Sequence, residues 1–347
     1  MSETKRPIRI GIVGAGANTC SRHIPGLRAQ PGVEIVCVVN STAASSQRVA
    51  AEQGIAETAP DWRALVARPD LDAIVIGTWP VLHCPVSLAA LATGKHVLTE
   101  ARMAMNAAEA RLMLEASRQR PDLVAQIVPS PFTFEVDRTV QRLLREGYLG
   151  RLLTLDLRVA DGGFVDPAAP LTWRQDADRS GLNVMTLGIW YESLMRWVGE
   201  ASSVMARGRT FVSQRQDETG RLRSVRVPDH LSILADLACG AQATLTLTAV
   251  AGAVKQAEVL LCGTEGTLRF ADGQLWGARR GDDALRLLEI PAAERGAWRV
   301  EEEFISAIRG RECITHTRFE DGLKYMLFTE AVALSMAERR EVVIPMC

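Results

Sequence analysis

Apolar residues in the first third of the chain fall into short runs rich in Val and Ile, separated by stretches in which they recur every three or four positions. The runs have the spacing of strands buried on both faces, and the intervening stretches that of amphipathic helices. Residues 8–13, 33–39, 71–76, 96–99 and 123–127 are predicted as strands. Residues 23–30, 43–53, 86–92 and 107–118 are predicted as helices. This alternation implies a parallel sheet with helices on both faces.

The rhythm changes at Val128-Pro129-Ser130-Pro131. Proline has no N–H for a ladder and is excluded from central strands, so a domain boundary is placed there, giving residues 1–127 and 128–347. In the second part, 134–146 reads as a helix closed by Gly147 and Gly150. A strand follows over 152–159, a long polar loop over 161–180 and a helix over 182–198. Strand signals then run together at 203–211, 230–237, 241–250, 257–262 and 267–270, with turns at Gly240 and Gly266. Helices at 299–308 and 322–338 and an edge strand at 341–345 close the chain. Consecutive strands predict one large sheet, mixed or antiparallel.

Composition narrows the function. The 347 residues exceed one typical core and suit two domains. A net charge of -1 gives no field that gathers nucleic acid or an anionic membrane. No apolar stretch approaches the ~20 residues of a membrane span, and the short polar segment 1–7 does not read as a signal peptide. Cys20, Cys37, Cys84, Cys239, Cys262, Cys313 and Cys347 are scattered with no C-x-x-C pair, which predicts reduced thiols in a cytoplasmic compartment. The 5 histidines have no metal spacing, so no metal is expected. The expected partner is a small-molecule substrate.

The first strand runs directly into Gly14-Ala15-Gly16-Ala17-Asn18-Thr19, where the first helix opens. Gly14 permits a tight turn, and Gly16 lets the backbone approach a pyrophosphate at the positive helix terminus. The third glycine of this fingerprint is replaced by Thr19. A turn that merely needs glycine would show the same pair, but its place in the first strand–helix unit favours a dinucleotide. Gly14, Gly16, Ala17, Asn18 and Thr19 are therefore candidate cofactor contacts. The second strand ends in Asn40-Ser41-Thr42, without the acid that holds an NAD ribose. Hydroxyls here and Arg48 can accommodate a 2′-phosphate, so Asn40, Ser41 and Arg48 join the cofactor set. The cofactor reading is NAD(P)(H), leaning to NADP(H). A role as helix caps is the plainer alternative. The fold class is α/β: an N-terminal Rossmann dinucleotide-binding domain, then a C-terminal α/β domain with a large open, mostly antiparallel sheet.

Further motifs extend along the chain: Arg22-His23-Ile24-Pro25-Gly26-Leu27, Thr78-Trp79-Pro80-Val81-Leu82-His83, Gly94-Lys95-His96-Val97 with Glu100, Gly263-Thr264-Glu265-Gly266 and Phe319-Glu320-Asp321-Gly322. On these residues the sequence resembles, over its full length, the Gfo/Idh/MocA oxidoreductases, the family of glucose–fructose oxidoreductase and inositol dehydrogenase. The resemblance implies a substrate cleft on the helix side of the second sheet and a subunit contact on its open face. An uncovered apolar sheet face would otherwise stand in water, so a homodimer or homotetramer is expected. The resemblance also implies Thr78, Trp79, His83 and Glu100 beside the cofactor, with Lys95 structural. A helix cap is the plainer reading of His83.

The departures from that pattern are chemical. The family follows its glutamate with Lys and Pro, the lysine being catalytic, whereas Ala101 and Arg102 stand here. Its helix-borne Asp and His fall on Thr186 and Trp190. Arg102 stays protonated and can bind an oxyanion, but it is a poor base. Trp190 offers one N–H and no proton relay. Hydride transfer from an alcohol needs a base, and Tyr191 is adjacent, although Leu187, Tyr191, Leu194 and Val198 also form a core stripe. Arg102 and Tyr191 are thus candidate catalytic residues. Arg102, Trp173, Arg174, Asn183, Thr186 and Trp190 are candidate substrate contacts, although the charges around Trp173 also read as a solvated run. The expected function is an NAD(P)-dependent oxidoreductase with a remodelled catalytic site, acting on a small hydroxylated or carbonyl compound such as a sugar, cyclitol or cyclic diol. Two alternatives stay open: an NAD-dependent non-redox lyase or glycoside-cleaving enzyme, and a catalytically inactive dinucleotide-binding sensor.

Overall fold

Strand β1, Ile8–Val13, is a computed structural model's first described element, the described residues being 6–345. Residues 1–5, Met346 and Cys347 lie outside them. The chain forms two units, one comprising the chain up to Pro129 with Arg299–Leu323, the other Ser130–Trp298 with Lys324 onward. The segment Arg299–Leu323 thus returns to the first unit, whereas the sequence pattern led to a single cut after residue 127.

In the first unit, β1 leads through a π-helical turn, Thr19–His23, into α1, Ile24–Arg28. There follow β2 Val33–Val39, α2 Ala43–Gln53, β3 Glu57–Thr58, α3 Trp62–Val66, β4 Ala73–Ile76, α4 Pro80–Ala92, β5 His96–Thr99, α5 Ala107–Arg118 and β6 Ala125–Ile127. The strands pair in parallel in the order β3-β2-β1-β4-β5-β6. Ile10, Ile12, Ile74 and Ile76 are fully buried, and each such side chain contributes about 1.5–3 kcal/mol of burial. Thr42, Asp61 and Asn106 cap α2, α3 and α5 by accepting from backbone N–H groups of the first turn. Strand order reverses between β1 and β4, which opens a crevice at their carboxyl ends.

Helix α4 begins six residues before the predicted start, at Pro80. Pro80 occupies a first-turn position, where the missing N–H costs no intrahelical bond. Pro85 lies inside the helix, so the proline spacing hid its first turns. The short β3 and α3 carry no readable periodicity.

The second unit begins with α6 Phe134–Arg145, β7 Leu152–Gly163, α7 Ala177–Ser180 and α8 Leu187–Val198. It continues with β8 Ala201–Arg209, β9 Gln214–Gln216, β10 Leu222–Ser224, β11 His230–Leu237, β12 Gln242–Thr248, β13 Gly252–Gly263, β14 Gly266–Ala271, β15 Gln274–Arg279 and β16 Arg286–Leu287. The large sheet runs β16-β15-β14-β13-β7-β12-β11-β8 and ends on β17, Val342–Val343. Only the β7–β12 pair is parallel, so the sheet is mixed and mostly antiparallel. Helix α8 starts five residues later than its apolar pattern, because Met185 takes a left-handed conformation (φ 44) just before it.

One face of this sheet buries Ala243, Leu245 and Leu247 of β12. The other is not broadly apolar: Asp156, Arg158, Thr244, Thr246 and Thr248 border a shallow cavity of about 270 Å³. Met205, Leu234, Leu287 and Val343, each half exposed or more, are apolar positions on the same face. The Gly263–Gly266 motif closes the β13–β14 hairpin on the chain before β7. A Cβ on Gly263 would stand 2.1 Å from the Leu149 carbonyl oxygen, and one on Gly266 2.5 Å from that of Tyr148. Glu265 N–H donates to Leu149 (2.8 Å) and Thr264 N–H to Arg151 (3.0 Å).

The returning segment carries α9, Val300–Ile308, and the first turn of α10, Phe319–Glu338. Helix α9 packs on α1. Ile127 N–H donates to Thr317 O at 2.9 Å, and Gln126 forms an antiparallel bridge with Arg318, covering the β6 edge. The buried Gln126 amide donates to Glu303 (2.8 Å) and to His316 O (2.7 Å).

Candidate functional site

The glycine turn is shaped by backbone clearance. Gly14 has φ 84, and a Cβ there would lie 2.5 Å from Thr78 Cγ2 and 2.8 Å from Thr78 N. Gly14 N–H donates to Val39 O and Gly77 N–H to Val13 O, both at 2.8 Å, so the end of β1 is held from each side. At Gly16 a Cβ would meet nothing nearer than Gly77 O at 3.9 Å. That clearance is what a pyrophosphate-binding turn requires. Thr19, in place of the third glycine, is buried and donates to Gly14 O at 3.2 Å. Its bulk is accommodated opposite, at Gly77, where a Cβ would stand 2.1 Å from Thr19 Oγ1. Close helix–strand packing is kept by moving the missing side chain from residue 19 to residue 77.

A groove of about 460 Å³ opens at the carboxyl ends of β1 and β4. Gly14, Gly16, Asn40, Ser41, Arg48, Thr78 and Trp79 come together in its walls. Ala17, Asn18, Thr19, His83 and Glu100 do not line it. Ser45, Asp61, Trp62 and Gly77 also wall it, and the sequence pattern missed them. The available signal was Asp61 as a helix cap directly before an aromatic residue. The Asn40 side chain is occupied in the turn itself: Oδ1 accepts from Ala15 N–H (2.7 Å) and Nδ2 donates to Ser45 Oγ (2.9 Å). Ser41 and the exposed Arg48 stand in the same wall.

Below the turn lies an ion cluster absent from the sequence reading. His23 is fully buried, with Nδ1 2.6 Å from Glu301 Oε1 and Nε2 3.0 Å from Glu100 Oε1. Burial works against the imidazolium, but the two carboxylates outweigh it and hold the pKa at about 9. Glu100 sits below the ordinary carboxylate range: burial raises it, and the His23 hydrogen bond and charge overcome that. Asn18 also donates to Glu100 Oε1, and Ala101 N–H to Oε2 at 3.3 Å. A Cβ on Gly26 would stand 2.6 Å from Glu301 Oε2, so that glycine makes room for the carboxylate.

His83 is fully buried between two carbonyls, with Nδ1 2.8 Å from Arg102 O and Nε2 3.0 Å from Thr78 O. Burial pushes its pKa below the ordinary value, and a neutral ring can donate to only one of the two. His83 therefore joins Thr78, in the groove wall, to the Arg102 backbone rather than capping a helix. Arg102 itself is buried.

In the second unit, Thr186 precedes α8, and its carbonyl accepts from Trp190 N–H at 3.0 Å. Thr186 Oγ1 is buried and has no hydrogen-bond partner among the described residues. Trp190 is buried against Phe132, ring centroids 4.8 Å apart. Asn183 Nδ2 donates to Ser180 O at 2.7 Å. On the preceding loop, Trp173 is half-buried under the exposed Arg174 guanidinium, 4.3 Å from the ring centre. Tyr191 is a core residue: its hydroxyl accepts from Ala201 N–H (2.7 Å), its ring stacks on Phe328 (3.6 Å), and burial raises its pKa. A phenol so placed does not exchange protons with a ligand, and the apolar stripe was the correct guide. Among the described residues no group of three or more His, Cys, Asp or Glu is placed to hold a metal, no helix is long and apolar enough to cross a membrane, and the six described cysteines are free of disulfides.

Two family models match. Residues 8–126 match the Gfo/Idh/MocA oxidoreductase family with its NAD-binding Rossmann fold, and residues 138–269 match the GFO/IDH/MocA C-terminal domain. The chain is 27% identical over 317 residues to dTDP-3,4-didehydro-2,6-dideoxy-alpha-D-glucose 3-reductase of Streptomyces antibioticus, covering 87% of this chain and 89% of that one. It is 28% identical over 283 residues to glucose-fructose oxidoreductase domain-containing protein 2 of Xenopus laevis, covering 80% and 72%. Its fold matches that of levoglucosan dehydrogenase in complex with NADH and L-sorbose, with a TM-score of 0.84 at 22% identity over 97% of this chain and 99% of that one.

The clearance at Gly16 is directly testable. In Gly16→Val a branched side chain fills the space in front of the turn, and dinucleotide affinity is expected to fall at least about tenfold, a loss of 1.4 kcal/mol or more. Titration calorimetry measures this, and an unchanged affinity would refute the placement.

Proposed function

The chain belongs to the Gfo/Idh/MocA family of oxidoreductases, and from that premise we propose that it uses NAD(P)(H), with NADP(H) preferred, to oxidise or reduce a small hydroxylated or carbonyl compound of the sugar, cyclitol or cyclic diol class. The observation that carries this reading is the groove at the β1–β4 crevice, with its open space at Gly16 and with Ser41 and Arg48 in its wall. Gly14, Ala15 and Gly16 would hold the pyrophosphate, and Ser41 and Arg48 the adenosine ribose with its 2′-phosphate. Thr78 and Trp79 would wall the nicotinamide end. When bound, the nicotinamide supplies hydride exchange.

The rest is the work of this chain's own side chains. Arg102 replaces the family's lysine as the fixed cation and stabilises the substrate oxygen as charge develops on it. Thr186, whose buried hydroxyl has no partner among the described residues, offers a hydrogen bond to a substrate hydroxyl, and Trp190 gives an apolar wall. Neither Thr186 nor Trp190 exchanges a proton near neutral pH, and Tyr191 is held in the core, so none of the three is the proton donor. A cytoplasmic setting suits the free cysteines.

Three outcomes are expected. Arg102→Ala lowers turnover about a hundredfold or more, measured by the absorbance of reduced nicotinamide over a panel of sugars, cyclitols and cyclic diols, while dinucleotide binding persists. Unaltered turnover would remove Arg102 from the chemistry, and no absorbance change with any substrate would count against the proposed reaction.

Arg48→Ala weakens NADP(H) by about tenfold or more, the worth of a charge-assisted hydrogen bond, and leaves NAD(H) nearly unchanged. Equal effects on the two would place Arg48 away from the 2′-phosphate. A homodimer or homotetramer formed through the open face of the large sheet gives a mass above that of one chain in light scattering, and a monomer mass at all concentrations would refute it.

A further inference from the structure

Two buried side chains, His23 and Glu301, lie outside the groove walls, yet both converge on Glu100. We propose that His23 and Glu301 are positioning residues of the cofactor site, fixing the Glu100 carboxylate so that it ties the glycine turn to the Ala101–Arg102 segment. This rests on the dinucleotide reading of the groove.

The geometry is specific to each oxygen. Glu100 Oε1 accepts from His23 Nε2 at 3.0 Å and from the Asn18 amide, and Oε2 from Ala101 N–H at 3.3 Å. Asn18 belongs to the glycine turn, and Ala101 adjoins Arg102. The carboxylate thus joins the turn that would hold a pyrophosphate to the backbone carrying the proposed oxyanion cation. Glu301 fixes His23 from behind, Nδ1 to Oε1 2.6 Å, in the space left by Gly26. Two carboxylates face the ring, Glu100 at the end of β5 and Glu301 on α9, and the neutral Asn18 amide lies 3.4 Å away.

With His23 protonated, the three groups carry one net negative charge. Deprotonated, they carry two, beside a turn that would receive an anion. The His23 pKa is raised to about 9, so its charge persists through neutral pH and is lost as pH climbs through about 9. Dinucleotide affinity should therefore be flat from about pH 7 to 8 and fall above that. Glu301→Gln keeps the shape and a hydrogen-bonding group but removes one anion, lowering the His23 pKa by about 1–3 units.

The test is dinucleotide titration by protein fluorescence across pH, for wild type, Glu301→Gln and Glu301→Asp. It is paired with NMR titration of the His23 ring in ligand-free protein. The expected result is that in Glu301→Gln the affinity falls at a lower pH, in step with the His23 pKa, and that Glu301→Asp, which restores the charge, moves both back toward wild type. A His23 pKa that moves while the affinity profile stays fixed overturns the inference and leaves a structural role. Wild-type affinity that is flat beyond pH 9 overturns it without any variant. A wild type that binds no dinucleotide at any pH overturns the reading of the groove and this inference with it.

Discussion

A carboxylate at the end of a buried strand must find a cation, and much of the first unit follows from how Glu100 finds one. Leaving a buried charge unpaired by removing its partner costs about 3–5 kcal/mol, a large share of the stability of an ordinary domain. The partner is His23, delivered by the helix that follows the glycine turn. One imidazolium between two carboxylates still leaves a net charge, which Asn18 and the Ala101 N–H help to solvate. The requirement extends to α1, where Gly26 keeps clear the space Glu301 occupies. A motif that looks like a helix start is thus fixed by a strand end and a distant helix.

The groove shows the same economy of space. The glycine fingerprint is incomplete in sequence but complete in volume, because Gly77 yields the room that Thr19 takes. Asn40, where an acid would hold the ribose in NAD enzymes, is instead bonded into the turn. The groove wall at that end is lined instead by Ser41, just before α2, and Arg48, within it. His83 then links the groove wall to the 101–102 backbone. The 101–102 segment is therefore held from both sides through buried histidines, one with its pKa raised by carboxylates and one with its pKa lowered by burial.

What the sequence showed and what it hid divide along physical lines. Buried strands of uniform Val and Ile were legible because their pattern is local. So was the stripe through Tyr191, whose periodicity correctly placed that ring in the core. The beginning of α4 was hidden because two prolines mask a helix unless their positions within its first turns are known. Trp62 was hidden because α3 spans only five residues and gives no readable period. Glu301 lies 278 residues from its partner His23, and no local rule connects such positions. The mixed character of the second sheet's open face was not legible, because alternation reveals that one side is exposed without fixing how polar that side is.

The return of Arg299–Leu323 to the first unit also bears on how the protein is made. A ribosome releases β5 and Glu100 about 200 residues before Glu301, and at ordinary elongation rates the interval is on the order of ten seconds or more. During it, the nascent N-terminal sheet lacks the 316–318 segment along β6, and an uncovered strand edge invites pairing with other chains. His23 meanwhile faces a single carboxylate. A stall between residues 130 and 299 would leave that edge open.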